Sequence, residues 1–320
     1  MSAGLVAAGE QEERLAAPSR RSVLRRIWDE PRGRVGLLVL AVVILLGVAA
    51  LVGLSPAGPY TQSPVVTLKP PSATHLFGTD QYGRDLFSRV QAGVVLSLQV
   101  AVVAVAICTV VGSIAGVAAG FFGGWVSGAV TGGADMLFAI PSILLALVIV
   151  SALGHGWLNS AIAVGIGYTP IFVRVVRGPV LAIREADFVR AGRVLGFSRT
   201  RLLMRHVLPS VSGVLAVQVT LALGWAVLTE ASLDFLGLGP APPAATLGQM
   251  VSDGTTMAAT AWWNLAFPSL AVVALVVGFN LVGDGLRDAL DPSRSEGARS
   301  FVPKATKRPR RVRSRIAGTP

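Results

Sequence analysis

Five long stretches of this chain contain no Asp, Glu, Lys or Arg. They lie between Arg34 and Lys69, Arg89 and Asp135, Asp135 and Arg174, Arg205 and Glu230, and Asp253 and Asp284. A helix needs about 20 residues to cross a ~30 Å hydrocarbon core. A charge at its centre costs about 3 kcal/mol on insertion scales. Windows of this length without charge are what insertion demands, and they exceed what a soluble amphipathic helix requires. The composition agrees: 52% of residues are hydrophobic and 14% charged, where soluble domains carry about 25% charged residues. The expected fold is an all-α membrane protein with about six spans, near 35–54, 92–119, 131–152, 159–176, 209–230 and 265–284. Phe121-Phe122-Gly123-Gly124-Trp125 separates the second span from the third, and Gly154-His155-Gly156-Trp157 the third from the fourth. Both are glycine turns flanked by aromatics that suit an interface.

The basic residues give an orientation. Segments 1–34, 174–206 and 287–320 hold 25 of the 28 Lys and Arg residues, and only Lys69, Arg84 and Arg89 fall elsewhere. Positive charge collects on the cytoplasmic side, so both termini are expected there. The net charge of +11 is then a matter of topology and anionic lipid rather than of nucleic acid. Residues 1–20 are expected to be disordered, and 22–30 to form a basic interfacial helix with Val23, Leu24, Ile27 and Trp28 on its apolar side. The basic stretch 304–315 within the tail 291–320 is expected to be a disordered inner-face anchor. The first span has a long basic leader and no small-residue cleavage signature after it, so it is expected to be retained. Two external segments, 55–89 and 231–263, complete the outline. In the first, Gly78-Thr79-Asp80-Gln81-Tyr82-Gly83-Arg84-Asp85 is expected to open a helix lying on the membrane, with Thr or Asp as its cap.

Chemistry of the chain's own is hard to find. The histidines, His75, His155 and His206, fall in separate connections, and Cys108 is the only cysteine. None of the lysines, Lys69, Lys304 and Lys307, follows a glycine as a phosphate-binding P-loop requires. Asp135, Glu230 and Asp284 sit near span ends, not in a mid-membrane ion relay, which disfavours a stand-alone secondary transporter. No metal site is expected. Gly112, Gly116, Gly120 and Gly124 form a four-residue glycine stripe that fits close helix packing, either within the chain or against another subunit. Pro141 and Pro268 are expected to kink their spans.

The strongest signal is the Arg-rich loop after the fourth span. Glu185-Ala186-Asp187-Phe188-Val189-Arg190-Ala191-Gly192-Arg193-Val194-Leu195-Gly196 is expected to form a cytoplasmic helix, ended by Gly196. Phe188, Ala191, Gly192 and Leu195 would offer a small-residue face to something outside the membrane. Pro209 is expected at the start of the next span, where a missing N–H costs nothing.

This loop resembles the EAA signature of importer-type ABC transporter permeases. Gly196 and the Leu208-Pro209 close have the signature's spacing, whereas Arg190-Ala191-Gly192 replaces its Glu-Ala-Ala opening. Together with Arg205-His206-Val207-Leu208-Pro209, that departure resembles the dipeptide/oligopeptide/nickel branch. Phe77-Gly78-Thr79-Asp80, Gly83-Arg84-Asp85, Ile140-Pro141-Ser142 and Glu230-Ala231-Ser232-Leu233-Asp234-Phe235-Leu236-Gly237-Leu238-Gly239 resemble the C-type subunit of that branch. The resemblance implies a bacterial cell-membrane permease that binds no cofactor itself and pairs with a homologous B-type permease. It further implies two partner ATPase subunits that carry ATP and Mg, and an extracytoplasmic substrate-binding protein. Glu185, Arg190, Ala191, Gly192, Leu195, Gly196, Leu208 and Pro209 would form the coupling loop to the ATPases. Glu230 would line the outer gate, or else cap or pack. Peptides, nickel chelates and other solutes all remain open as cargo.

Overall fold

The computed structural model describes residues 23–290. The expectations for 1–20 and for the basic tail after 290 lie outside the described residues. A short helix α1 (Val23–Asp29) leads into α2 (Pro31–Leu51), which carries proline in its first turn, where no hydrogen bond is lost. There follow α3 (Leu86–Phe122), α4 (Gly124–Phe138), α5 (Ser142–Leu153) and α6 (Trp157–Arg184). The loop helices α7 (Asp187–Val194) and α8 (Arg199–Leu202) come next, and then α9 (Leu208–Phe235), α10 (Leu247–Thr256) and α11 (Trp263–Leu290). Among the described residues there is no strand, only one isolated bridge between Thr79 and Asp85.

Five continuous helical runs are long and apolar enough to span a bilayer: Pro31–Leu51, Leu86–Phe122, Trp157–Arg184, Arg199–Phe235 and Trp263–Leu290. The expected third span is different. It is broken into α4 and α5, which meet at 87°. Pro141 causes the break, because its ring excludes a fourth-preceding carbonyl partner and its own N–H is missing. The other helices overrun the expected windows. α3 has 37 residues, about 55 Å at 1.5 Å per residue, and α6 continues through Arg174 and Arg177 to Arg184. Hydropathy marks only the part of a helix that lipid must cover, so polar extensions were not legible in it.

The centre of the bundle is the parallel contact of α3 with α6, in which Gly112, Gly116 and Gly120 meet Phe172, Val176 and Val180 in the same order. A Cβ at Gly112 would lie 2.5 Å from Cβ of Phe172, and one at Gly116 would lie 2.7 Å from the Val173 carbonyl oxygen. At Gly120 the nearest atom would be Cγ1 of Val180, also 2.7 Å away. The glycine stripe is thus used within the chain, letting α6 approach backbone to backbone. Gly124 does not continue it, since nothing stands within 4 Å of its would-be Cβ. At the inner end of α2, Ile27 is buried against Gly33 and faces protein, not lipid, which corrects the interfacial reading of that residue.

Gly112→Val should force the two helices apart, because the clashing atom is bound directly to the backbone. Overpacking of this kind costs about 1–3 kcal/mol, a fall of several degrees in the thermal midpoint of the detergent-solubilised chain. Gly128→Ala, which meets nothing within 4 Å, should leave the midpoint unchanged.

Candidate functional site

The loop between the fourth and fifth spanning helices is a built object. Glu185 ends α6, and α7 begins only at Asp187, two residues later than the sequence pattern suggested. At its far end Gly196 adopts φ +77°, and the Phe197 N–H returns to the Gly192 carbonyl at 3.0 Å. This is a Schellman closure, and it needs a residue that tolerates left-handed backbone. Ser198 then caps α8, its Oγ accepting from the Arg201 N–H at 3.3 Å.

Beneath α7 lies a small core of its own. Val189, Leu202, Val207 and Val211 pack with Val176 and Val180 of α6 and with Val117 and Phe121 of α3. Gly192 belongs to this inner side, where a Cβ would meet Leu202 Cδ2 at 2.7 Å. The expectation that Gly192 faces outward is therefore corrected: its smallness serves an intrachain contact. The outer side of α7 carries Phe188, Ala191, Val194 and Leu195, all exposed, with Leu195 at 72% and Val194 at 87%. These four residues recur at helical spacing, which puts them on one side of the loop. Arg190 and Arg184 both donate to Glu185, at 3.3 and 3.0 Å. These bonds, Arg184's foremost, hold the exposed Glu185 carboxyl below its usual range. It stays ionised at neutral pH, and the pairing is lost only as pH falls through that lowered value.

Pro209 stands in the first turn of α9, as expected, but the chain before it is already helical. The helix is continuous from Arg199 to Phe235, and Leu203–Val207 within it is π-helical, with the Leu208 N–H reaching the Leu203 carbonyl. Pro209 has no N–H for the preceding turn, and the widened turn just before it is where the ladder shifts. Leu208 and Pro209 are both exposed.

The opposite end of α3 holds a second cluster. Arg84 donates to Asp80 at 2.6 Å, and Arg89 stands 3.5 Å from the same carboxylate. Asp85 caps α3 by accepting from the Ser88 N–H at 2.9 Å and pairs with His75 at 3.0 Å. The motif therefore opens the spanning helix α3 itself, not a helix lying on the membrane. Trp263 Nε1 and Asn264 Nδ2 both donate to the Thr79 carbonyl, tying this segment to α11. Glu230 is packed within the chain. It is 1% exposed, beside Asp234 at 1%, deep against α3 and α10. Asp234 was missed as a site residue because one more acid near a helix end carries no signal of burial. Asp135, near a span end, pairs with Arg174 at 2.7 Å, both side chains exposed. Among the described residues no group of His, Cys, Asp and Glu is placed to hold a metal ion.

Residues 109–296, from mid-α3 past the loop, match the model of the binding-protein-dependent transport system inner membrane component. The chain belongs to that family. The permease is 38% identical over 273 residues to the dipeptide transport system permease protein DppC of Alkalihalophilus pseudofirmus, covering 85% of this chain and 89% of the relative. It is 40% identical to the probable D,D-dipeptide transport system permease protein DdpC of Escherichia coli K12, over 70% of this chain and 76% of the relative. It is 43% identical to the glutathione transport system permease protein GsiD of Escherichia coli, over 69% and 73% of the two chains. The permease is thus a multi-pass membrane protein of a binding-protein-dependent transport system.

Two substitutions separate the faces of α7. Gly192→Leu should displace Leu202 and expose the loop to limited proteolysis, whereas Ala191→Leu should leave the proteolytic pattern of the purified permease unchanged. On the outer face, Asp80→Ala strands two buried arginines. Such a change costs about 3–5 kcal/mol, visible as a marked drop in the thermal midpoint.

Proposed function

We propose that this chain is one of two homologous permease subunits of an ATP-driven importer of di- and oligopeptides. The observation that carries the reading is α7: a helix fixed at both ends, resting on its own core, with an exposed apolar row of Phe188, Ala191, Val194 and Leu195. A partner ATPase that gripped this row would move α6 and α9 directly, since the loop is bonded to both. The charge distribution supports a cytoplasmic side for the loop and both termini, where ATP and Mg would be held by the two ATPase subunits. A B-type permease would complete the path, and an extracytoplasmic binding protein would deliver peptide to the opposite face. Peptide cargo is supported by relatives named for dipeptides, D,D-dipeptides and glutathione.

The test is reconstitution with these partners in proteoliposomes, measuring ATP-dependent uptake of labelled alanyl-alanine. Uptake dependent on the binding protein is expected, and its absence in a complex that hydrolyses ATP would overturn peptide as the cargo. Gly196→Val forces a β-branched residue into left-handed backbone, with a strain of about 1–2 kcal/mol but no atom within 4 Å to clash. It should leave membrane insertion intact and reduce uptake at least tenfold by misdirecting the docking row. Normal uptake by this variant would remove the loop from the coupling role.

A further inference from the structure

The outer half of the bundle contains a pair of acids that neither docking nor a solvent-lined path uses. Glu230 and Asp234 stand one turn apart on α9, and none of their four carboxyl oxygens receives a formed hydrogen bond. Four residues apart on one helix, they are neighbours on the same face. Glu230 also faces the hydroxyl of Ser97 on α3, itself fully buried and unpartnered, and Asp234 faces Thr246. Among the described residues no cationic side chain pairs with either carboxyl. The titratable neighbours are few. His155 lies 3.3 Å from the Gly239 carbonyl, Tyr168 bonds the Thr229 hydroxyl on α9, and Asp253 farther along α10 is bonded to Gln249. Two ionised carboxylates side by side at this depth would repel while both bore the cost of burial. One proton between them turns the contact into an O–H···O⁻ bond, among the strongest that side chains form.

We propose that Glu230 and Asp234 share a single proton, with Glu230 as donor and Asp234 carrying the charge, and that this pair clasps segment 236–248 onto α9. The assignment of donor and acceptor follows from the surroundings. Asp234 stands against the first turn of α10, where Thr246 is the cap and a Cβ at Gly248 would lie 2.7 Å from Cβ of Asp234. A helix N-terminus favours the negative partner. Glu230 lies a turn deeper and faces α3, where Ser97 offers a hydroxyl but no helix end. The segment closes directly over the charge, since a Cβ at Gly239 would stand 2.0 Å from Asp234 Oδ1. Glu230 is thus a positioning residue for the outer segment.

The test uses the purified full-length chain in lipid at neutral pH. Wild type should show the infrared C=O stretch of a protonated carboxylic acid. The band should vanish in Glu230→Gln and persist in Asp234→Asn. Glu230→Gln keeps a donor toward Asp234 and should hold the thermal midpoint within about 2 °C, whereas Glu230→Ala should lower it by about 6 °C or more. Absence of the band in wild type, or a stoichiometric bound divalent metal found by elemental analysis, would overturn the shared proton. So would a Gln variant as unstable as the Ala variant. Loss of the band in Asp234→Asn would overturn the assignment of the donor.

Discussion

The contact between α3 and α6 is the constraint on which the permease is built. Within a bilayer, apolar side chains gain little by leaving lipid for protein, so helices associate through close packing and the hydrogen bonds it permits. Gly112, Gly116 and Gly120 remove three side chains from one face of α3, and α6 fills the space with its backbone and with Phe172, Val176 and Val180. The same two helices then diverge in use. At its N-terminal end, α3 is anchored by Asp85 and the Asp80–Arg84–Arg89 cluster. Inside, the ends of α3 and α6 supply the floor on which the loop helix α7 rests. Both candidate surfaces therefore inherit their position from one glycine-lined seam.

The two surfaces differ in electrostatic style. The inner one is exposed and basic, with Glu185 as a local counter-ion for Arg184 and Arg190. Its pairs lie in water and contribute little to stability; rigidity there comes from the Schellman turn and the apolar core below it. The outer one is buried, and its arginines and carboxylates are matched at short range. There the loss of one partner leaves a charge stranded away from water, so the cluster fixes geometry through the cost of breaking it.

Much of this was legible in the sequence, for identifiable reasons. Insertion leaves charge-free windows, so the number and order of spans could be read directly, as could the loop that ends at Gly196. Pro141 was readable as a disturbance but not as an 87° break, because the angle depends on how α5 packs against α6. The inward turn of Gly192 could not be read either. A small residue on a helix face suits an external partner and an internal Leu202 equally well, and only the fold decides between them. Glu230 illustrates the same limit. Its place near a span end suggested solvent, whereas the segment 236–248 folds back over it, and no local pattern announces that return.

One further consequence lies in the run from Arg199 to Phe235. It is a single helical rod of 37 residues that starts in the docking loop and ends beneath the outer segment. Its Leu203–Val207 turn is wider than the rest and is the natural site of torsional give, lying just inside the loop. Above that turn the rod is stiff. A twist applied at the inner surface would be absorbed first at residues 203–207, and only the excess would travel outward to the acids at its far end. Under the proposed coupling, the loop and the buried acids would be the two ends of one lever, joined through the widened turn at 203–207.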